Sequence, residues 1–86
     1  MPEEGKLIGE VIHYFDNINV AVFSLEEGGL KVGDEIRIVG GEDTDFSQEV
    51  ESMEIDHESV EKAKKGDEVA IKVDEKVRRN YKVYKL

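Results

Sequence analysis

The sequence predicts an all-β fold, a small closed barrel of six or seven short strands. Short runs rich in β-branched and aromatic residues recur along the 86-residue chain, with turn residues about every eight to twelve positions. This spacing is typical of a small sandwich or barrel, and a closed barrel is favoured because closure removes exposed strand edges. The length leaves room for one hydrophobic core, so we expect a single domain over residues 1–86.

The first half of the chain predicts a hairpin and a third strand. The hairpin strands cover Lys6–Phe15 and Asn19–Leu25, and Asp16 and Asn17 between them are turn residues. A glycine-rich break and a Gly-Asp turn then precede Glu35–Val39. Apolar and charged residues alternate along this third strand, so one of its faces is expected to be buried.

The next segments predict a long strand and a short helix. Phe46–His57 carries strand-forming residues, and the break in alternation between Val50 and Met53 indicates a β-bulge where the strand bends. Ser59–Lys65 is the one helix-like run, with Ser59 placed as an N-cap and Gly66 as a C-terminal stop. We therefore expect a short helical turn near residues 60–65.

Two further strands complete the prediction. Glu68–Val73 follows Gly66-Asp67, a turn that repeats the earlier Gly33-Asp34, and Tyr81–Leu86 ends the chain. In each copy a Gly-Asp turn precedes a strand.

Charge is distributed unevenly along the chain. The net charge is −9, and residues 42–61 contain nine acidic side chains and no lysine or arginine, whereas residues 62–86 contain nine basic and four acidic side chains. The net charge disfavours RNA, because phosphate ligands are held mainly by lysine and arginine. RNA binding would use the basic segment, with Tyr14, Tyr81 or Tyr84 for base stacking; its candidate residues are Lys72, Lys76, Arg78, Arg79 and Lys82.

The acidic segment resembles a calcium loop only in spacing. Oxygen-bearing residues occupy alternate positions from Asp43 to Glu51, but Gln48 stands where an EF-hand loop needs glycine, and the flanking residues favour strands. Alternate positions of a strand produce the same spacing. We therefore interpret the segment as a strand with an acidic outer face and predict no metal site.

The composition indicates a protein without catalytic chemistry. Cysteine is absent, only two histidines are present, and the chain contains neither a nucleophile-elbow motif nor a phosphate-binding P-loop. No catalytic residue and no cofactor are therefore predicted. The lack of cysteine, of an apolar leader and of a membrane-spanning run suggests a cytoplasmic protein that does not contact a membrane. The high charge content with one glutamine is also typical of proteins from heat-loving organisms.

Three stretches together resemble a known family. LKVGDEIRIVGG (residues 30–41), VESMEIDH (residues 50–57) and VEKAKKGDEVAIKV (residues 60–73) are similar to domain II of the translational GTPases, the elongation factor Tu type. They are also similar to the C-terminal barrel of collagenase-like peptidase proteins, some of which take part in RNA hydroxylation. The resemblance implies an antiparallel Greek-key barrel.

The resemblance also implies site residues. In elongation factor Tu this domain helps to hold the aminoacylated 3′ end of tRNA, and in relatives it contacts the GTPase domain or the ribosome. Glu54 matches the conserved glutamate of the family, and His57 matches a basic position three residues later. Glu58 replaces the lysine that follows in the family, and Asn17–Ser24 lacks the arginines of the corresponding family strand. Both differences remove positive charge from the region that would hold the RNA end.

These observations predict a non-catalytic binding module. It would dock on a protein or ribonucleoprotein of the translation or RNA-modification machinery, such as a GTPase, a ribosomal component or a peptidase-like enzyme. Docking would use the acidic strand, with Glu51, Glu54, Asp56 and His57 as candidate contact residues. RNA or tRNA binding through the basic segment is the alternative, and the oligomeric state is left open.

Overall fold

The computed structural model describes residues 5–86, and over this range the chain forms strands and turns without a helix. Residues 1–4, including Pro2, lie outside the described residues although the single-domain prediction includes them. The ten strands are β1 (Lys6–Phe15), β2 (Val20–Leu25), β3 (Leu30–Lys31), β4 (Glu35–Gly40), β5 (Thr44–Glu49), β6 (Met53–Ile55), β7 (Glu58–Val60), β8 (Lys62–Ala63), β9 (Glu68–Lys72) and β10 (Lys82–Lys85).

Eight of these strands form one antiparallel sheet. Their order is β5-β4-β10-β1-β2-β9-β6-β7, and β3 and β8 form a separate two-stranded sheet. The long strand β1 is paired on both sides, with β10 and with β2. The all-β, antiparallel prediction is therefore confirmed.

The core lies on one face of the large sheet. The inward residues alternate along β1, β2, β4, β9 and β10, and Phe23 is the largest side chain that is fully buried. Among the described residues the buried set contains no polar or charged side chain. The hydrophobic effect thus accounts for how the sheet is held around its core.

The predicted closure into a barrel and the predicted count of six or seven strands are wrong. The sheet has eight strands and remains open between β5 and the C-terminal end of β9. Beyond β5 the pairing with the β4 side continues: the Gly33 amide donates to the Val50 carbonyl, and the Val50 amide donates to the Asp34 carbonyl, both at 2.8 Å. Within residues 5–86, β5 pairs with β4 alone and is therefore an edge strand of the sheet.

One side chain bridges this opening, which we call the seam. Gln48 of β5 donates from Nε2 to the Lys72 carbonyl at 2.9 Å, and its Oε1 accepts from the Asp74 amide at 2.8 Å. A glutamine amide carries one donor group and one acceptor, so it can satisfy the two backbone groups that a neighbouring strand would otherwise satisfy. The Gln48 side chain therefore bridges the seam, although no backbone ladder closes it.

Replacing Gln48 with alanine is expected to lower the free energy of unfolding by about 1–2 kcal/mol, because two hydrogen bonds across the seam are lost. Urea denaturation measures this loss, and hydrogen exchange at the Asp74 amide should become faster. Ser47→Ala is the control, since Ser47 is exposed on the same strand, and it should leave both quantities unchanged. An unchanged exchange rate at Asp74 in Gln48→Ala would contradict the bridging role.

The long strand predicted over Phe46–His57 is two separate strands. β5 and β6 lie far apart in the sheet order, and residues 50–52 between them are not part of a strand. Val50 and Met53 are both buried, with 0% and 1% of their surface exposed. Because they are three residues apart, a regular strand would place them on opposite faces. Both are buried here because the chain leaves the strand at residues 50–52, so the predicted bulge is wrong.

The predicted helical turn near residues 60–65 is also wrong. Val60 ends β7 opposite Met53, and Ala63 pairs with Leu30 in the two-stranded sheet. A helix of one or two turns forms few hydrogen bonds for its nucleation cost. The extended conformation instead buries Ala63, which is only 8% exposed.

The two predicted Gly-Asp turns have closely similar geometry. Gly33 and Gly66 have φ angles of 100° and 97°, a backbone region that is open mainly to glycine. The carboxylates of Asp34 and Asp67 each accept a hydrogen bond from the amide three residues earlier, at 3.0 and 2.9 Å. The echo in the sequence therefore reflects the same turn used twice.

Candidate functional site

Strand β2 is apolar on both faces. Ala21 and Phe23 point into the core, whereas Val20 and Val22 lie on the outer face and remain partly exposed. Ala70 of β9 pairs with Val22 and is also on this outer face. Outer strand residues of an antiparallel sheet are commonly polar. An apolar outer surface in the middle of the sheet therefore needs an explanation beyond folding.

These outer residues form the floor of a recess of about 460 Å³. Phe15 at the end of β1 and Ile18 in the following turn supply apolar walls, and they are 42% and 54% exposed. The rest of the wall is polar and comes from β6, the turn after it and the start of β9. We call this cavity the recess, and its lining residues are Phe15, Ile18, Val20, Val22, Glu54, Asp56, His57, Glu68 and Ala70.

The turn between β6 and β7 sets the polar wall. Asp56 and His57 form its two central residues and have φ angles of 54° and 68°, values typical of the two-residue turn that suits antiparallel hairpins. Ile55 pairs with Glu58 across the turn, and Glu54 pairs with Ala70 on the other side of β6. The hairpin geometry thereby places three polar side chains of one short segment beside the apolar floor.

Three of the four residues predicted for partner binding line the recess. Glu54, Asp56 and His57 are brought together there, whereas Glu51 lies at a separate depression beside the seam. That depression has a volume of about 360 Å³ and a mainly polar lining that also includes Lys72 and Asp74. The structure thus assigns the predicted set to two neighbouring surfaces.

The recess carries negative charge without an opposing cation. Its lining contains Glu54, Asp56 and Glu68 but no lysine or arginine, and within residues 5–86 none of these three carboxylates forms an ion pair. The ion pairs lie elsewhere: Arg37 with Asp45 at 2.6 Å, Lys82 with Glu10 at 2.7 Å and Lys85 with Asp34 at 3.5 Å.

Hydrogen bonding within two of those pairs shifts pKa values. Two hydrogen bonds from the Arg37 guanidinium, at 2.7 and 2.6 Å, lower the pKa of the Asp45 carboxyl. The hydrogen bond to Glu10 raises the pKa of Lys82. Lys82, one of the predicted RNA-binding residues, is therefore held by a carboxylate of β1.

The other predicted RNA-binding residues do not line the recess. Lys72 ends β9 beside the seam, and Lys76, Arg78 and Arg79 are exposed in the loop between β9 and β10. Val77, which is 1% exposed, anchors this loop in the core. Three of the five predicted cations therefore share one loop, and they do not contribute to the recess.

The sequence analysis missed the apolar part of the site. Phe15, Ile18, Val20, Val22 and Ala70 were assigned to strands or turns without a functional role. A signal was present, because VAVF in β2 and VAI in β9 lack the apolar-polar alternation of a sheet with one solvated face. Such runs indicate that both faces of the strand are covered, one by the core and the other by a further surface.

Two classes of site receive no support from the described residues. Across residues 5–86, no group of three histidine, aspartate or glutamate side chains is arranged to hold a metal ion. The same range contains no helix of the length and apolar character needed to cross a membrane.

Two known proteins have sequences similar to most of this chain. The chain is 42% identical over 79 residues to a collagenase of Porphyromonas gingivalis, covering 92% of this chain and 22% of that protein. It is 39% identical over 79 residues to an uncharacterized protease of Methanocaldococcus jannaschii, covering 92% of this chain and 19% of that protein. The chain thus spans about a fifth of the length of these relatives.

A solved structure has the same fold. The C-terminal domain of a protein assigned as a U32 peptidase from Geobacillus thermoleovorans superposes with a TM-score of 0.86 at 19% identity, covering 100% of this chain and 98% of that domain. The family model described as elongation factor Tu domain 2 matches residues 19–83, which include both Gly-Asp turns and all but two of the recess residues. The chain therefore belongs to the elongation factor Tu domain 2 family, as the resemblance in its sequence indicated.

Proposed function

We propose that this domain is a non-catalytic binding module that docks on a protein or ribonucleoprotein partner through the recess. The observation that carries the proposal is the apolar recess on the outer face of the sheet, with Phe15 and Ile18 exposed at its wall. Exposed apolar surface rimmed by polar residues is typical of a protein-binding site.

The relatives suggest the class of partner. In the collagenase and protease relatives a similar segment forms about a fifth of a longer chain, so related domains function beside other protein regions. A peptidase-like enzyme is accordingly our first choice of partner, with a GTPase or a ribosomal component of the translation or RNA-modification machinery as the other members of this class. A cytoplasmic location stays a prediction based on the absence of cysteine.

Replacing Val22 with lysine is expected to weaken docking strongly, because it places a charge on the apolar floor. We would crosslink the tagged domain in extract of its native cell, identify partners by quantitative mass spectrometry, and measure the affinity of the purified partner. Enrichment and affinity should both fall about tenfold or more, since burial of an unpaired charge is costly. Val32→Lys is the matched control, because Val32 is an exposed valine outside the recess.

Retained affinity in Val22→Lys, or equal losses in both variants, would refute docking through the recess. Circular dichroism and urea denaturation of the two variants establish that each is folded, so that a loss of binding is not mistaken for a loss of structure.

A second candidate function is RNA binding through the loop between β9 and β10. Lys76, Arg78 and Arg79 favour it, because they are exposed and form no ion pair with other residues of the described range 5–86. Titration of the domain with tRNA at two salt concentrations tests it, with NMR shifts expected near Arg78 and Arg79 that weaken as salt rises. An absence of shifts at low salt would refute this candidate.

A further inference from the structure

We propose that the recess binds a segment of the partner polypeptide in which a large apolar side chain lies next to lysine or arginine residues. The inference rests on the proposed docking function and specifies the chemistry of the occupant. The proposed occupant is a cationic protein segment, as opposed to an acidic segment, a neutral segment or a nucleic acid.

The floor selects an apolar group. Val20, Val22 and Ala70 present hydrocarbon surface at the centre of the recess, and Phe15 and Ile18 extend it along one wall. The volume of about 460 Å³ falls within the range of about 300–1,000 Å³ that is usual for ligand pockets. An apolar side chain that enters would remove this surface from water, which is the main favourable contribution to such binding.

The rim selects a cation. Glu54, Asp56 and Glu68 bring three carboxylates to the lining, and no lysine or arginine lines the recess to neutralise them. Charge complementarity then favours a positively charged partner and suppresses an acidic one. Since nucleic-acid affinity depends on basic groups that contact phosphates, the same rim disfavours RNA at this site.

The positions of the charges also orient the segment. Across the sheet, Glu54 of β6 lies opposite Ala70 of β9, and Glu68 of β9 lies opposite Ser24 of β2. Lys72, at the other end of β9, lies opposite Val20 and next to the seam. Glu54 on β6 therefore lies beside the middle of the floor, Glu68 lies at one end, and Lys72 lies beyond the other end. We expect the lysine or arginine residues of the segment to face the β6–β7 hairpin.

Both walls are held in place before binding. The turn at Asp56 and His57 is fixed by the pairing of Ile55 with Glu58. On the opposite side, Tyr14 donates a hydrogen bond to the Asn19 side chain at 3.2 Å, and the Asn19 carbonyl accepts one from the Val73 amide at 2.9 Å. A site with ordered walls loses less conformational entropy when a ligand binds, so a short segment can suffice.

Three peptides of equal length test the proposal with the intact domain. The first has leucine and phenylalanine between lysine and arginine residues, the second replaces leucine and phenylalanine with serine, and the third replaces lysine and arginine with glutamate. Fluorescence anisotropy measures the affinities, and two-dimensional amide NMR locates the site. We expect only the first peptide to bind, with the largest shifts at Val22, Asp56 and Ala70 and with weaker binding at higher salt.

Charge variants of the rim sharpen the test. Glu54→Lys and Glu68→Lys should each weaken binding of the first peptide by about tenfold, whereas Glu42→Lys should not. Glu42 is the matched control, because it is exposed in the loop before β5 and does not line the recess. An equal effect of all three substitutions would show that only net charge matters and would overturn the proposal.

Other outcomes would also overturn the inference. Binding of the second peptide as tight as that of the first would show that no apolar residue is required, and equal binding of the third would show that no cationic residue is required. NMR shifts of the recess amides on addition of a short RNA would show that the recess binds nucleic acid. If no peptide shifts the recess amides, a short segment is not the occupant. None of these results contradicts docking itself, which is judged separately by whether Val22→Lys weakens binding of the purified partner.

Discussion

Replacing Gly9 with alanine is expected to lower the free energy of unfolding by about 3 kcal/mol, the upper part of the range for overpacking. Gly9 lies in β1 at an irregularity in the strand register, where it pairs with Leu25 on one side and Val83 on the other. A Cβ atom at this position would lie against the Ser24 carbonyl group, with the carbonyl carbon at 3.0 Å and the oxygen closer still. Because backbone pairs on both sides hold β1, the strand cannot easily move away.

Urea denaturation of Gly9→Ala and Gly33→Ala separates this steric cost from a purely conformational one. A Cβ at Gly33 meets nothing within 4 Å, although the φ angle of 100° is unfavourable for alanine. The control should therefore lose only about 1–2 kcal/mol, the cost of a left-handed conformation. A loss in Gly9→Ala no greater than in Gly33→Ala would contradict the close approach of β1 and β2.

Replacing Phe23 with alanine is expected to cost about 4 kcal/mol, whereas alanine at the adjacent Val22 should cost less than about 1 kcal/mol. Phe23 is fully buried in the core, so its truncation removes apolar contacts and leaves a cavity. Val22 lies on the outer face, partly exposed in the recess. The total stability of a domain is commonly about 5–15 kcal/mol, so the Phe23 variant is expected to be close to unfolding.

Thermal and urea denaturation of the two variants provide the measurement. Since the residues are neighbours on one strand, differences in strand propensity between them are small compared with the expected difference in burial. A loss in Val22→Ala as large as that in Phe23→Ala would mean that Val22 is part of the packed core, and the recess could not then be an open binding surface.

The candidate site shows how far sequence reasoning extends. Glu54, Asp56 and His57 were found because they belong to one acidic segment and because the resemblance to the translation-factor domain singled out Glu54 and His57. Val22 and Ala70 were missed because they come from strands that are distant in the sequence, and only the register of β2 with β9 and β6 brings them beside Glu54. An apolar strand without alternation was visible in the sequence, but its two faces could not be distinguished there.

Local patterns were sufficient for the fold class and several elements. Alternation and β-branched residues located β1, β2, β4, β9 and β10, and the chemistry of glycine and aspartate predicted two matching turns. These features depend on residues that are close in the chain, since turn conformation and the burial of one strand face are local properties.

The tertiary structure decided which strands pair, because pairing depends on backbone groups that are distant in the sequence. Val50 hydrogen-bonds to the turn at Gly33 and Asp34, β5 pairs with β4 alone, and the Gln48 side chain bridges the seam to the end of β9. Ala63 pairs with Leu30, so a run with helical propensity becomes β8. The sequence by itself determined which residues prefer strands and turns, and only the folded chain determined which strands pair, because each backbone donor and acceptor is satisfied by whichever partner the complete fold brings within reach.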